Sequence, residues 1–178
     1  MSEQDLIAGC LRENRECQAV VFQRYAGKML SVCMRYARHR MEAEDMLQDA
    51  FIRVFDHIGQ FQYHGSFEGW IRRIVVNTAL KKYQQKSFRD EVIGIEEGYD
   101  LQLEPSIYAD LHEEELLNLI AQLPDGYRVV FNLYAIEGYS HAEIGQMLGI
   151  EESTSRTQLL KARRILQDQI VKMQKIAV

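Results

Sequence analysis

Apolar side chains recur at helical intervals along most of the chain. Within residues 42–58 they fall three and four positions apart, and the same spacing governs residues 66–86. It also predicts a long helix over 20–36 and a shorter one around 6–11. No stretch sustains the alternation of apolar and polar residues that is typical of a strand. The pattern therefore predicts an all-α fold.

Residues 91–108 interrupt this pattern. The segment contains two glycines, one proline and five acidic residues, with no basic residue and no sustained period. Such a composition is typical of a linker. We therefore predict two small helical domains, an N-terminal helical bundle over 1–90 and a second domain over 109–178, joined by this acidic linker.

The second domain has clear signals for the ends of its helices. A helix over 110–123 stops before Pro124, which fits the first turn of the next helix, and Gly138 ends that one. Ser140 and Glu143 then have the spacing of a capping box, in which each side chain accepts a hydrogen bond from the other residue's amide.

The capping box opens a short helix over 140–148 that stops at Gly149, and a longer basic helix follows over 152–173. This succession is the helix-turn-helix pattern, although an αα-hairpin with a solvated basic face is an alternative. Several polar residues are predicted to face outward from the first half of the longer helix. Their types read base edges or grip phosphates: Ser153, Thr154, Ser155, Arg156, Gln158 and Lys161.

The net charge of −5 at first argues against a nucleic-acid partner. The charge is unevenly distributed, however. Residues 1–90 hold 14 basic against 11 acidic residues, whereas the predicted linker is purely acidic. Four basic residues fall within 156–164. Because DNA binding depends on local basic faces, the total charge does not exclude it.

The helix over 66–86 carries a polar stripe opposite its apolar one, formed by Arg73, Asn77, Lys81 and Gln84. An aromatic-rich loop over 61–67 precedes it. Aromatic rings beside cations suit unstacked bases, which offer a π-face for stacking. Phe61, Phe67 and Trp70 can equally be core residues, and for Phe67 and Trp70 the buried period favours that interpretation. Tyr63 and His64 are the better candidates for a solvent-facing role.

Cysteines and histidines give no sign of a metal or redox centre. The three cysteines, Cys10, Cys17 and Cys33, lack paired spacing, and the five histidines are scattered. Buried thiols on helices are the expected state, and we predict no cofactor and no metal. The N-terminus lacks an export signal and no apolar run is long enough to cross a bilayer, so we expect no membrane insertion and a cytoplasmic location.

Three runs in series resemble the extracytoplasmic-function group of bacterial sigma factors. The first is EAEDMLQDAFIRVF at 42–55, the second FEGWIRRIVVNTAL at 67–80, and the third LPDGYRVVFNLYAIEGYSHAEIGQMLGI with TSRTQLLKARRIL within 123–166. The resemblance implies a non-enzymatic polymerase subunit that recognises the −10 and −35 promoter elements and helps to open the promoter. Residues 1–90 would be sigma region 2 and residues 109–178 sigma region 4.

The resemblance also assigns partners to particular faces. An otherwise unremarkable acidic strip on helix 42–58 matches the helix that docks on the β′ clamp helices of core RNA polymerase: Asp45, Gln48, Asp49 and Ile52. The loop at 62–66 and the Asn77 helix match the part that melts the −10 element. Residues 154–161 match the reader of the −35 element, held near the β flap. An anti-sigma factor is the expected regulatory partner.

One residue departs from the family pattern. Lys81 stands where the family often has an acid, so we expect base preference at the −10 element to differ. The acidic linker is consistent with a segment that lies in the basic RNA path of the polymerase.

Three other functions are alternatives. A helix-turn-helix regulator binding duplex DNA alone explains 123–166 but not the Asn77 helix or the aromatic loop. A small helical enzyme using His64 lacks a nucleophile, base and orienting group. An adaptor of the anti-sigma type leaves the basic cluster at 156–164 unexplained.

Overall fold

The computed structural model describes residues 2–87 and 113–176. Within those two ranges every regular element is helical, which confirms the predicted all-α class. Residue contacts divide the chain into two compact units, Met1–Lys82 and Tyr83–Val178, here called the first and the second unit. The predicted linker, 91–108, lies outside the described residues, so the domain limits at 90 and 109 stay predictions.

The first unit contains the helices α1 (Glu3–Leu11), α2 (Arg15–Tyr36), α3 (Arg40–His57) and α4 (Phe67–Ser87), the last of which runs past the unit boundary. A short 3₁₀ turn, Ile58–Gln60, follows α3.

Local side chains cap the first three helices of this unit. Ser2 and Asp5 form a capping box at α1, the Asn14 side chain accepts a hydrogen bond from the Cys17 amide, and His39 Nδ1 accepts one from the Glu42 amide. These bonds satisfy amides that a helix N-terminus otherwise leaves unpaired.

Apolar side chains fill the core of the first unit. Phe67, Leu6, Ile7, Met29 and Ile71 are among its largest fully buried side chains. The three cysteines are free and buried, as expected. Burial raises the pKa of the Cys33 thiol to about 12 and that of Cys10 to about 11, so both favour the unreactive protonated form.

The second unit contains α5 (Glu113–Ala121), α6 (Asp125–Phe131), α7 (His141–Leu148) and α8 (Glu152–Ile176). The Ser140 and Glu143 capping box is present, and Gly149 ends α7 in the left-handed conformation with φ of 68°. Pro124 lies one residue earlier than predicted, at the N-cap of α6. A π-helical turn, Asn132–Ile136, continues α6 and was not predicted.

Polar side chains lie inside the second unit alongside the apolar ones. Arg128, Asn132 and Ser155 are all nearly or fully buried. Arg128 Nη1 donates hydrogen bonds to the carbonyl oxygens of Ala121 at 3.2 Å and Leu123 at 2.8 Å. Its Nη2 lies 2.5 Å from the carboxylate of Asp125. The guanidinium therefore satisfies carbonyls at the end of α5 and ties that end to the start of α6.

Candidate nucleic-acid and protein interfaces

The acidic strip on α3 is solvent-facing, since Asp45, Gln48, Asp49 and Ile52 are all exposed. Ile52 is 60% exposed, a large value for an isoleucine. Lys82 Nζ lies 2.8 Å from the Asp49 carboxylate and forms an ion pair with it. The strip thus combines acidic groups with an apolar side chain that is largely exposed.

Met41 extends this strip and was missed in the sequence analysis. It is 73% exposed and stands four residues before Asp45, at the beginning of α3. Residues four apart on a helix share a face, so the spacing of Met41 from Asp45 was the signal available in the sequence.

In the loop before α4, the exposed ring of Tyr63 packs on a cluster of other aromatic side chains. Tyr63 is 56% exposed and has φ of 59°, which is uncommon for a non-glycine residue. Its ring centroid lies 4.8 Å from that of Phe61, and the Phe61 ring in turn contacts Phe67 at 5.2 Å and Trp70 at 5.6 Å. Phe61 and Phe67 are buried, so they belong to the core and support the exposed ring.

The polar stripe of α4 is exposed as predicted, at Arg73, Asn77, Lys81 and Gln84. The opposite face is buried through Ile71, Val75 and Ala79. Ser66 accepts a hydrogen bond from the Gly69 amide at 3.1 Å and so caps the helix directly after the loop. His64 is exposed in that loop.

On α8, Ser153, Thr154 and Arg156 are exposed, and Gln158 and Lys161 are half-buried. An ion pair joins Arg156 to Glu152 one turn earlier. The prediction that Ser155 faces outward is wrong, because this residue is completely buried. Its spacing from Leu159, Ala162 and Leu166 is the spacing of the buried stripe, which identifies it as a core position despite its hydroxyl.

The Ser155 hydroxyl is buried against His141, the first residue of α7. Their Oγ and Nδ1 atoms lie 2.9 Å apart. The flat face of the imidazole is stacked on the Tyr134 ring, with ring centroids 4.4 Å apart and planes 16° from parallel. The Arg163 guanidinium lies 5.7 Å from the Tyr134 centroid, at cation–π distance. This cluster of Tyr134, His141, Ser155 and Arg163 was not foreseen.

The pKa of His141 lies below its ordinary value, because burial disfavours the charged ring. Arg156 lowers it further, Glu152 opposes that effect and Arg163 adds to it. The imidazole is therefore held in its neutral form near pH 7.

The described residues form a helical bundle with an exposed aromatic loop and a capped helix-turn-helix, and a helix-turn-helix is typical of DNA-binding transcription proteins. Family models give the particular assignment. Sigma-70 region 2 matches residues 21–89, and Sigma-70 region 4 matches residues 113–166.

Individual relatives agree with these matches. The chain is 32% identical over 160 residues to the ECF RNA polymerase sigma factor SigW of Bacillus subtilis, covering 82% of this chain and 84% of that protein. It is 30% identical to SigE of Mycolicibacterium smegmatis, covering 84% of this chain and 60% of that protein. The chain belongs to the extracytoplasmic-function sigma factors of the sigma-70 family, and it acts with RNA polymerase in promoter recognition.

A solved structure supports the fold. The sigma factor RpoE from Bartonella quintana, in complex with the anti-sigma factor NepR, superimposes with a TM-score of 0.51 at 17% identity. The match covers 86% of this chain and 96% of that one.

Among residues 2–87 and 113–176, no helix is both long and apolar enough to cross a membrane.

Proposed function

We propose that three separate faces of this sigma factor bind core polymerase, the melted −10 element and the −35 element. Tyr63 is the residue that most directly supports the role in strand opening. Tyr63 is exposed, held in a left-handed backbone conformation and backed by Phe61. A preorganised exposed ring is suited to stacking on a base that has left the duplex. An ordinary regulator of duplex DNA has no need of such a ring.

The −10 element is captured by this loop together with the polar stripe of α4. Tyr63 and His64 approach the melted strand, Asn77 contributes an amide for base edges, and Arg73, Lys81 and Gln84 contact base or backbone. The mixed chemistry suits a single strand, which offers bases and phosphates at the same time.

The α3 strip is proposed to dock on the β′ clamp helices of core polymerase. Asp45, Gln48 and Asp49 offer acceptors and Ile52 offers an apolar anchor. Apolar anchors ringed by polar groups are typical of protein interfaces.

The −35 element is read in the major groove by α8, beside the β flap. Thr154 and Arg156 are the exposed candidates for base edges, while Ser153, Gln158 and Lys161 complete the contact. Ser155 is removed from this set by its burial.

The protein itself carries out no bond chemistry in this proposal. It supplies binding energy and sequence selection in the cytoplasm, and the polymerase forms the phosphodiester bonds. An anti-sigma factor is the proposed restraint, by analogy with the complex of RpoE and NepR. The acidic linker is proposed to enter the RNA path, and neutralising its five acids should then alter promoter escape.

Run-off transcription with purified core polymerase tests this division. Templates selected from a genomic promoter library are offered either as duplex or with the −10 element already unpaired. Loss of base stacking should reduce output from duplex by roughly 5- to 150-fold in Tyr63→Ala, since stacking contributes about 1–3 kcal/mol per base. The unpaired template should restore that output.

Two further variants sharpen the test. Ile52→Asp should fail on both templates, because docking precedes opening. Gln60→Ala, an exposed change just before the loop, should behave as wild type. Specific duplex binding without polymerase, combined with no directed start, would support the regulator alternative instead.

A further inference from the structure

The pair of half-buried His141 and buried Ser155 joins the two helices of the helix-turn-helix, next to the exposed residues proposed to read DNA. Ser155 lies between Thr154 and Arg156 in the first turn of α8, and its side chain is completely buried. The hydrogen bond to His141 Nδ1 is 2.9 Å long and spans 14 residues of sequence. A contact that holds the Ser155 side chain in one direction therefore also sets the rotation of α8 about its own axis. That rotation sets the directions of the Thr154 and Arg156 side chains.

The imidazole is itself constrained from its other face. Tyr134 stacks on it at 4.4 Å, and Tyr134 belongs to the π-helical turn Asn132–Ile136. That turn closes with a hydrogen bond from the Glu137 amide to the Asn132 carbonyl, five residues earlier. Single π turns inside helices occur often at functional sites. Here the turn brings a third element against the contact between α7 and α8.

We infer that His141 is a positioning residue for sequence reading: its bond to Ser155 and its stack on Tyr134 fix the first turn of α8, and so the direction of Thr154 and Arg156. The inference rests on the proposed −35 role of α8. His141 acts through Ser155 and is not assigned a contact with DNA. An apolar pair here would fill the space without directing the rotation, because dispersion contacts have little directionality whereas hydrogen bonds have a preferred geometry.

Protonation of the imidazole should weaken this link. Neutral Nδ1 can accept from the serine hydroxyl, whereas the protonated ring only donates, so the hydroxyl must turn round. The charged groups around the ring are Arg156, Arg163 and Glu152 of α8, with Glu143 of α7 lining the same cavity. Burial and the two arginines disfavour a further cation there.

The test compares holoenzyme binding to a selected promoter and to the same promoter with its −35 element replaced. The ratio of the two affinities measures −35 discrimination. Ser155→Ala and His141→Phe each remove the hydrogen bond, and the phenylalanine retains a ring for the stack. Each should lower the ratio about fivefold, as expected for one hydrogen bond. The double variant should be little worse than either single variant.

Rescue and control variants separate positioning from general stability. His141→Asn keeps an acceptor close to the place of Nδ1 and should retain most of the discrimination. Gln169→Ala removes another long-range bond of α8, the 3.2 Å contact with Gln122 just after α5, and should leave the ratio unchanged. Thermal unfolding of every variant shows whether the second unit is still folded at the assay temperature. Ser155→Ala is the smallest change and carries the test if His141→Phe unfolds.

A pH series gives a readout that a packing role does not move. The wild-type ratio should be constant at high pH and fall with a midpoint below 6.5, the ordinary pKa of histidine. The ratio for His141→Asn should not follow that fall. Parallel profiles, or full discrimination in Ser155→Ala, overturn the inference. A wild-type holoenzyme that ignores the −35 element overturns the proposed function of α8 instead.

Discussion

The two units solve the same problem of presenting polar side chains in different ways. In the first unit the proposed interface residues stand on the outer faces of α3 and α4, over a core that is almost entirely apolar. In the second unit the buried Arg128 and Ser155 make polar contacts between elements, Arg128 with carbonyls at and just after the end of α5 and Ser155 of α8 with His141 of α7. An apolar core tolerates changes of similar volume, whereas a buried polar network fails when a single partner is lost. The comparison predicts that replacing a buried polar residue lowers stability more in the second unit than replacing a buried apolar residue by one of similar volume does in the first.

The largest expected effect is that of Arg128→Ala in the second unit. It removes the hydrogen bonds that Arg128 donates to the Asp125 carboxylate and to the carbonyls of Ala121 and Leu123. Breaking a buried charge pair costs about 3–5 kcal/mol, so this unit should unfold first. Urea unfolding followed by far-UV circular dichroism should show the loss. Fluorescence of Trp70, the sole tryptophan of the chain, reports on the first unit and should be nearly unchanged. A coincident shift of both signals would contradict the comparison.

Steric packing gives the matching prediction for the first unit. A Cβ at Gly9 would stand 2.2 Å from the Cys17 sulfur and 2.8 Å from its Cβ. Gly9→Ala should therefore cost about 1–3 kcal/mol through overpacking, measured by Trp70 fluorescence in urea. Adding Cys17→Ala removes the closest contact and should recover part of the loss. No recovery in the double variant would show that the strain lies elsewhere.

Capping boxes allow a direct comparison, because the described residues of both units contain a capping box. Ser140→Ala should cost about 1 kcal/mol, since α7 has only eight residues and lies within the helix-turn-helix. Ser2→Ala should cost less, because α1 is also held by the buried side chains of Leu6, Ile7 and Cys10, whereas α7 buries only Ile144 and Gly145. Thermal unfolding of the two variants side by side provides the measurement, and a larger loss in Ser2→Ala would reverse the interpretation.

The same boxes make stability depend on pH. Hydrogen bonds from Ser140 lower the pKa of Glu143 below its ordinary 4.5, and bonds from Ser2 lower that of Asp5 below 3.8. A lowered carboxyl pKa contributes stability above the ordinary value, and that contribution is lost as pH falls through the folded value. Wild type should therefore lose stability as the pH is taken well below 4.5. Its advantage over Ser140→Ala should narrow but persist, because alanine keeps the backbone amide that bonds Glu143, and the serine hydroxyl still accepts from the Glu143 amide at low pH.

The smallest effect is expected at the solvent-facing ion pair of Lys82 and Asp49. Their side chains are 30% and 50% exposed, and such pairs contribute about 0–1 kcal/mol. Lys82→Ala should lower the stability of the first unit slightly, and the difference from wild type should shrink in high salt. A loss of stability comparable to that of Arg128→Ala would mean that the solvent-facing ion pair of the first unit stabilises as strongly as the buried polar contacts of the second unit.

The sequence by itself determined the helices, the family and most exposed faces of this protein. Helical period, capping boxes and the Gly149 turn depend on residues within about four positions of one another, so they can be read locally. The faces of α3 and α4 followed from the same spacing.

Only the tertiary structure decided which polar residues are buried and what they touch. Ser155 was expected at the surface, but the packing of α7 against α8 covers it and pairs it with His141. Arg128 looks like a surface cation in the sequence, yet it is buried against carbonyls at the end of α5. The left-handed conformation of Tyr63 likewise accompanies an aromatic cluster assembled from the loop and α4. In each case the partner lies beyond the range of helical periodicity or outside the helix itself, and the free energy of burial depends on that partner.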